Sequence, residues 1–170
     1  NTYHLITGQT QCELDCCSGS SIPECGILIT GQEEGVLYYD FDTNATTKLF
    51  DTPAYERLDI AARQNKLWIY AETGAAYDIQ EYDVVYNPTF QHVFNRNISV
   101  PSGNMGRGLT PTQDPNVLIT ANDKVWTLDI TTNAAVSTLQ FPLPSGLTCT
   151  GDIMYDHITG NMIITYGSGT

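Results

Sequence analysis

Long apolar runs are missing from this sequence, and so is helical periodicity. No window of about 18 apolar residues exists, which excludes a membrane-spanning helix. No stretch of about a dozen residues keeps a 3.6-residue period, because Gly, Pro, Asn and Thr interrupt too often. Basic residues are scarce: 7 Lys and Arg stand against 19 Asp and Glu, a net charge of −12 over 170 residues. A surface of that sign repels nucleic-acid phosphates and anionic lipid heads, so neither nucleic acid nor membrane insertion is expected. Histidine is limited to His4, His92 and His157, none at metal-chelating spacing. A nucleophile elbow, a phosphate-binding loop, a glycine-rich dinucleotide turn and a sialidase-type Asp box are all absent. An enzyme is therefore not expected. The start, Asn1-Thr2-Tyr3-His4, has neither Met nor a basic stretch and reads as a processed or truncated end.

What the chain does hold is a repeat. Residues 117–139 read VLITANDKVWTLDITTNAAVSTL. Two apolar runs flank the polar turn Ala121-Asn122-Asp123-Lys124, and a Thr-Thr-Asn turn opens a third run. That text is an antiparallel meander of short strands. Leu28-Ile29-Thr30 followed by Val36-Leu37-Tyr38-Tyr39-Asp40-Phe41 repeats it, and Leu67-Trp68-Ile69-Tyr70 followed by 79–84 is a looser copy. Aligned on Asp40, Asp83 and Asp129, the copies are spaced by 43 and 46 residues. A period of about 40–50 residues with about four strands is that of a β-propeller blade.

The expected fold is all-β, a propeller or part of one with about 3.5 four-stranded blades. A Cys-rich leader would occupy 1–26, with one strand-like run at Tyr3-His4-Leu5-Ile6-Thr7 that could feed a neighbouring blade. Repeats would follow at 27–54, 55–102 and 105–144, with an incomplete one at 146–170. Innermost strands are expected around Leu58-Asp59-Ile60, Gly108-Leu109-Thr110 and Gly151-Asp152-Ile153. The fourth repeat lacks text for two outer strands. An unfinished ring invites completion by other polypeptide, since a terminal repeat otherwise exposes an apolar face. An incomplete piece of a longer chain is the plainer alternative.

The stretches Val125 to Asn133 and Val36 to Ala45, with their apolar-Asp-x-x-Thr turns, resemble the repeat of the YVTN-type β-propellers. The resemblance spans about 27–170 and implies blade architecture. That family includes surface-layer and secreted proteins and some lactone-cleaving enzymes. The Thr- and Asn-rich, Lys-poor text of LITGQEEGVLYYDFDTNATTKLF is also similar to propeller modules in structural proteins of tailed phages and large aquatic viruses.

Several residues are candidate sites. Asp40, Asp42 and Asn44 have the D-x-D-x-N form of a calcium loop, but Ala45 stands where an EF-hand loop needs Gly. Asx side chains also close hairpin turns by binding nearby amides, and that reading has the better support. Asp59 and Asp152 could converge at one channel mouth, to hold a cation or to raise each other's pKa, or could simply bind neighbouring backbone. Cofactors are not expected, with calcium the one candidate. Cys12, Cys16, Cys17, Cys25 and Cys149 leave an odd count. Disulfides stapling the leader are favoured over a zinc site, since the usual C-x-x-C pair is absent. Asn44 and Asn97 open glycosylation sequons. Tyr38, Tyr39, Trp68, Tyr70, Tyr82, Tyr86 and Trp126 should divide between core and a sugar- or partner-facing surface.

The functional expectation is a non-catalytic structural or interaction module, an oligomeric glycoprotein on a virion surface or another extracellular assembly, with other protein subunits as partners. The alternatives are a receptor- or glycan-binding propeller of adhesin type, and a lactonase-like propeller hydrolase.

Overall fold

The computed structural model of the chain describes residues 4–6, 26–31, 35–51, 57–73, 76–86, 90–101, 103, 106, 108–156 and 158–168. Among them there is no helix, and the fold is all-β in four small antiparallel sheets. The first sheet runs β1 (His4–Ile6), β2 (Gly26–Gly31), β3 (Gly35–Asp40) and β4 (Ala45–Phe50) in spatial order. The second runs β5 (Arg57–Arg63), β6 (Lys66–Thr73), β7 (Ala76–Tyr86) and β8 (Phe90–Ser99). The third runs β9 (Leu109–Pro111), β10 (Val117–Ala121), β11 (Lys124–Asp129) and β12 (Val136–Pro142). The fourth is the hairpin β13 (Leu147–Tyr155) and β14 (Met162–Ser168). Each strand pairs with its sequence neighbour, so every sheet is a meander.

The strand-like run in the leader is β1. It pairs with β2 in its own sheet, His4 opposite Thr30 and Ile6 opposite Leu28.

The sheets pack face to face in chain order, and alternation along each strand decides which neighbour a side chain meets. In β6, Leu67 and Ile69 join Leu28, Val36, Tyr38 and Phe50 between the first and second sheets. Trp68 and Tyr70 point the other way, to Leu109, Leu118, Leu128 and Ile130 of the third sheet. Burial on both faces is why β6 reads as the unbroken apolar run LWIY. A third cluster joins Ile119, Ala121 and Val125 to Cys149 and Ile153 of the fourth sheet. Each fully buried Leu or Ile contributes roughly 1.5–3 kcal/mol. The outer strands β4, β8 and β12 are mostly exposed.

The first strands meet at the centre: β1 lies against β5 and β13, β5 against β9, and β9 against β13. The four therefore touch in cyclic order, although the fourth sheet contributes only two strands.

The second and third sheets are also tied by polar contacts. Arg96 on β8 donates to the carbonyl of Ile130 at 2.8 Å and to that of Thr131 at 3.3 Å. Arg63 donates to the Thr112 carbonyl. The Ser99 amide donates to Asn133 O and the Ala135 amide to Ser99 O, both at 2.9 Å.

Candidate functional site at the meeting of the first strands

Asp59 and Asp152 are the two expected site residues that the fold brings together. Each stands inside a first strand, and each folds back on the next residue. Asp59 Oδ1 accepts the Ile60 amide at 2.8 Å, and Asp152 Oδ1 accepts the Ile153 amide at 2.7 Å. Gly108, just before β9, fits between them. Its φ of +109° favours glycine, and a Cβ there would stand 2.8 Å from the Ile153 amide nitrogen. The glycine lets β9 approach the Asp152–Ile153 backbone this closely. Two further bonds fix β13: the Tyr155 amide donates to Thr110 Oγ1 at 3.2 Å, and the Asp152 amide donates to Thr165 Oγ1 at 2.8 Å.

Asp59 is only 2% exposed, and its Oδ2 has no hydrogen-bond partner. The amides of Gly108 and Leu109 favour its ionised form, but neither completes a bond to Oδ2. Burial, reinforced by the Asp152 charge, pushes the Asp59 carboxyl well above its usual value despite those amides. Burial also lifts Asp152, to about 6, against the pull of the Ile153 amide. Both carboxyls are therefore harder to ionise than exposed ones, Asp59 the more so because the Asp152 charge adds to its burial. They are short of the ligand number that calcium needs. Among the described residues no group of three or more His, Cys, Asp or Glu side chains is placed to hold a metal ion.

Asp40, Asp42 and Asn44 form a hairpin turn. Asp40 Oδ1 accepts the amides of Asp42 at 2.8 Å and Thr43 at 3.1 Å, while Tyr39 donates its hydroxyl to Asn44 Oδ1. Asn44 takes a φ of +54°, as Asx residues do in turns. The Thr43 amide leads in lowering the Asp40 pKa. Asp129 closes the corresponding turn of the third sheet, accepting the Thr131 amide at 2.9 Å and its hydroxyl at 2.6 Å. Asp83, the third residue used to align the repeats, lies inside β7 and pairs with Lys66 Nζ at 2.7 Å.

Cys149 is buried against Ile119, Ala121, Val125 and Ile153 and packs as a small apolar side chain. Cys12, Cys16, Cys17 and Cys25 lie outside the described residues, as does His157. Asn44 and Asn97 are both exposed. Of the aromatic residues, Tyr38, Trp68, Tyr70 and Tyr82 are core, Tyr39 and Trp126 are half-buried, and the Tyr86 side chain lies outside the described set.

One polar centre was not foreseen from sequence. Glu81 on β7 is buried. Its Oε2 accepts Trp68 Nε1 and Arg96 Nη2, each at 3.1 Å, and its Oε1 accepts Lys66 Nζ at 3.3 Å. Burial acts to raise its pKa, but Arg96, Trp68 and Lys66 outweigh it and hold the carboxyl below 4.5. Cross-strand register carries the signal: Glu81 stands opposite Trp68 on one side and Arg96 on the other. Because Arg96 also grips the third sheet, this centre joins two sheets and presents no open face for chemistry.

Comparison with family models, with curated proteins and with solved structures found no match to this chain.

Proposed function

We propose that the chain is a non-catalytic structural and interaction module built as a propeller-type ring of sheets, part of an extracellular or virion-surface assembly. One observation carries the reading. The first strands of four meander sheets touch in cyclic order, β1 to β5, β5 to β9, β9 to β13 and β13 to β1, as blades around one axis do. The acidic surface, and the polar clamps that hold the second sheet on the third, fit a rigid scaffold. A YVTN-like blade plan is consistent with the cyclic contact of the four first strands.

Native mass spectrometry on material from the natural source, with a reduced and deglycosylated control, tests the proposal. The expected result is a mass containing several subunits. A lone monomer in source material would overturn it.

A glycan-binding reading has one observation of its own. Phe50, Phe90 and His92 stack where β4 meets β8, with Phe50 and His92 centroids 4.2 Å apart, and half-exposed Phe94 packs on Tyr82. Such a ledge suits the apolar face of a sugar ring, and a glycan array without binders would remove it. The hydrolase reading has less support. Among the described residues the first strands bring two carboxyls together, Asp59 and Asp152, and Asp59 is almost wholly enclosed.

A further inference from the structure

We infer that the outer face of the second sheet, where it meets the first, is a binding site for a neutral glycan, with sugar rings stacked on His92 and Phe94 and hydroxyls bonded to Asn97 and Gln80. The inference rests on the glycan-binding reading above and adds the polar contacts and the class of sugar.

Strand register builds the site. On β8, His92 stands opposite Val84 and Phe94 opposite Tyr82. Residues directly opposite in a pair share a face, and Tyr82 and Val84 belong to the cluster between the first and second sheets. Phe90, His92 and Phe94 therefore form one row on that face, at about 7 Å per step. Strict alternation would turn Asn97 to the other face. The bulge at Asn95 prevents this: Arg96 pairs with Glu81 on the side of the third sheet, Asn97 pairs with Gln80, and Ser99 with Asp78. The row of rings so runs on into a row of amides, a hydroxyl and a carboxylate. Both sheets that border it have all four strands.

The rings are held in place and remain open. Phe50 covers one face of the His92 imidazole at 4.2 Å and 20° from parallel, yet His92 is exposed. Phe94 is braced by Tyr82 at 5.6 Å and 71°, and is 50% exposed. Asn97 is exposed, and Gln80 is half-buried and accepts the Tyr82 hydroxyl at 2.8 Å. Side chains fixed before a ligand arrives lower the ordering cost of binding it.

The chemistry of the row selects the ligand. A pyranose ring has an apolar C–H face and a rim of hydroxyls, so it suits an aromatic face set beside planar polar side chains. Among the described residues no Lys or Arg shares this face. Arg96 and Lys66 turn to Glu81, Arg63 reaches Thr112, Lys48 stands opposite Leu37 on the far side of the first sheet, and Lys124 belongs to the third. Asp78 closes the polar end, and the chain carries a net charge of −12. A sialylated, sulfated or uronic sugar meets no cation here and is repelled, whereas a neutral sugar is not.

The test is a glycan array that pairs neutral oligosaccharides with their sialylated and sulfated forms, followed by calorimetric titration of the purified 170-residue protein with the soluble neutral hits. The expected result is binding to neutral members only. Phe94→Ala and Asn97→Ala should each weaken it at least about tenfold, and Phe94→Trp should keep it, which separates a lost ring from a damaged fold. Val93→Ala, on the opposite face of β8, should leave it unchanged. Binders indifferent to both alanine substitutions, or a preference for the anionic forms, would overturn the inference and leave the glycan-binding reading standing. Source protein with an N-glycan on Asn97 would do the same, since that glycan fills the row. An array without binders would overturn both.

Discussion

Asp152→Asn should make the protein more stable, and only at neutral or alkaline pH. A carboxyl whose folded pKa lies above its unfolded value holds its proton more tightly in the fold, so ionising it destabilises the fold. For Asp152 the penalty is absent below about 3.8 and fully present above about 6, with burial as its cause. The rise from 3.8 to about 6 corresponds to about 3 kcal/mol at 1.36 kcal/mol per pH unit. Residual solvent contact at this half-buried side chain brings that toward about 2 kcal/mol. Asn keeps the oxygen that accepts the Ile153 amide at 2.7 Å and cannot ionise. It also removes the charge that raises Asp59, which adds in the same direction. Urea unfolding followed by the fluorescence of Trp68 and Trp126 measures the difference. The variant should exceed the parent by about 2–3 kcal/mol at pH 8, and the gap should all but close near pH 4. Comparing variant with parent cancels Glu81, Asp40 and Asp129, whose lowered pKa values act with the opposite sign. An equal gap at both pH values, or a parent that is the more stable at pH 8, would refute the reasoning.

Gly108→Ala should cost about 2 kcal/mol in the same unfolding measurement, because the added Cβ meets the Ile153 amide in a backbone conformation that alanine avoids. Glu81→Ala should cost about 3 kcal/mol at pH 7, since it leaves Arg96, Lys66 and Trp68 Nε1 without their shared acceptor. A lowered folded pKa gives stability that is present above about 4.5 and lost as pH falls through the folded value, so the Glu81→Ala deficit should shrink in melts at about pH 3.

The meander was legible wherever a strand is buried on both faces. LWIY in β6 and VLITA in β10 stand out because neighbouring sheets take alternate side chains, leaving little room for polar residues. The Asp40 and Asp129 turns were legible for a local reason: an Asx oxygen reaches amides two residues on, so the signal lies within a few positions. Asp83 matched the same pattern and misled, because β7 runs on past it to Tyr86 and its partner, Lys66, lies on another strand. Recurrence before an apolar residue marked Asp59 and Asp152. Their depth depends on how closely β9 passes β13, which rests on the backbone conformation of Gly108 and has no periodic signature. Glu81 was invisible for a similar reason, since its partners Lys66, Trp68, Asn95 and Arg96 lie on two other strands that only register brings to it.

The polar contacts are unevenly shared among the sheets. Of the basic side chains described, Lys66, Arg63 and Arg96 all belong to the second sheet, and two of them bind carbonyls that belong to the third unit. Among the described residues Lys48 and Lys124 pair with the exposed Asp51 and Asp123, and such contacts are worth little. The fourth sheet has no lysine or arginine at all. It is held by Ile153, Cys149 and their neighbours, by backbone contacts to β9 and β1, and against a carboxyl that resists ionisation. Opening free energies follow local burial and hydrogen bonding, so the fourth sheet is where the fold should open first.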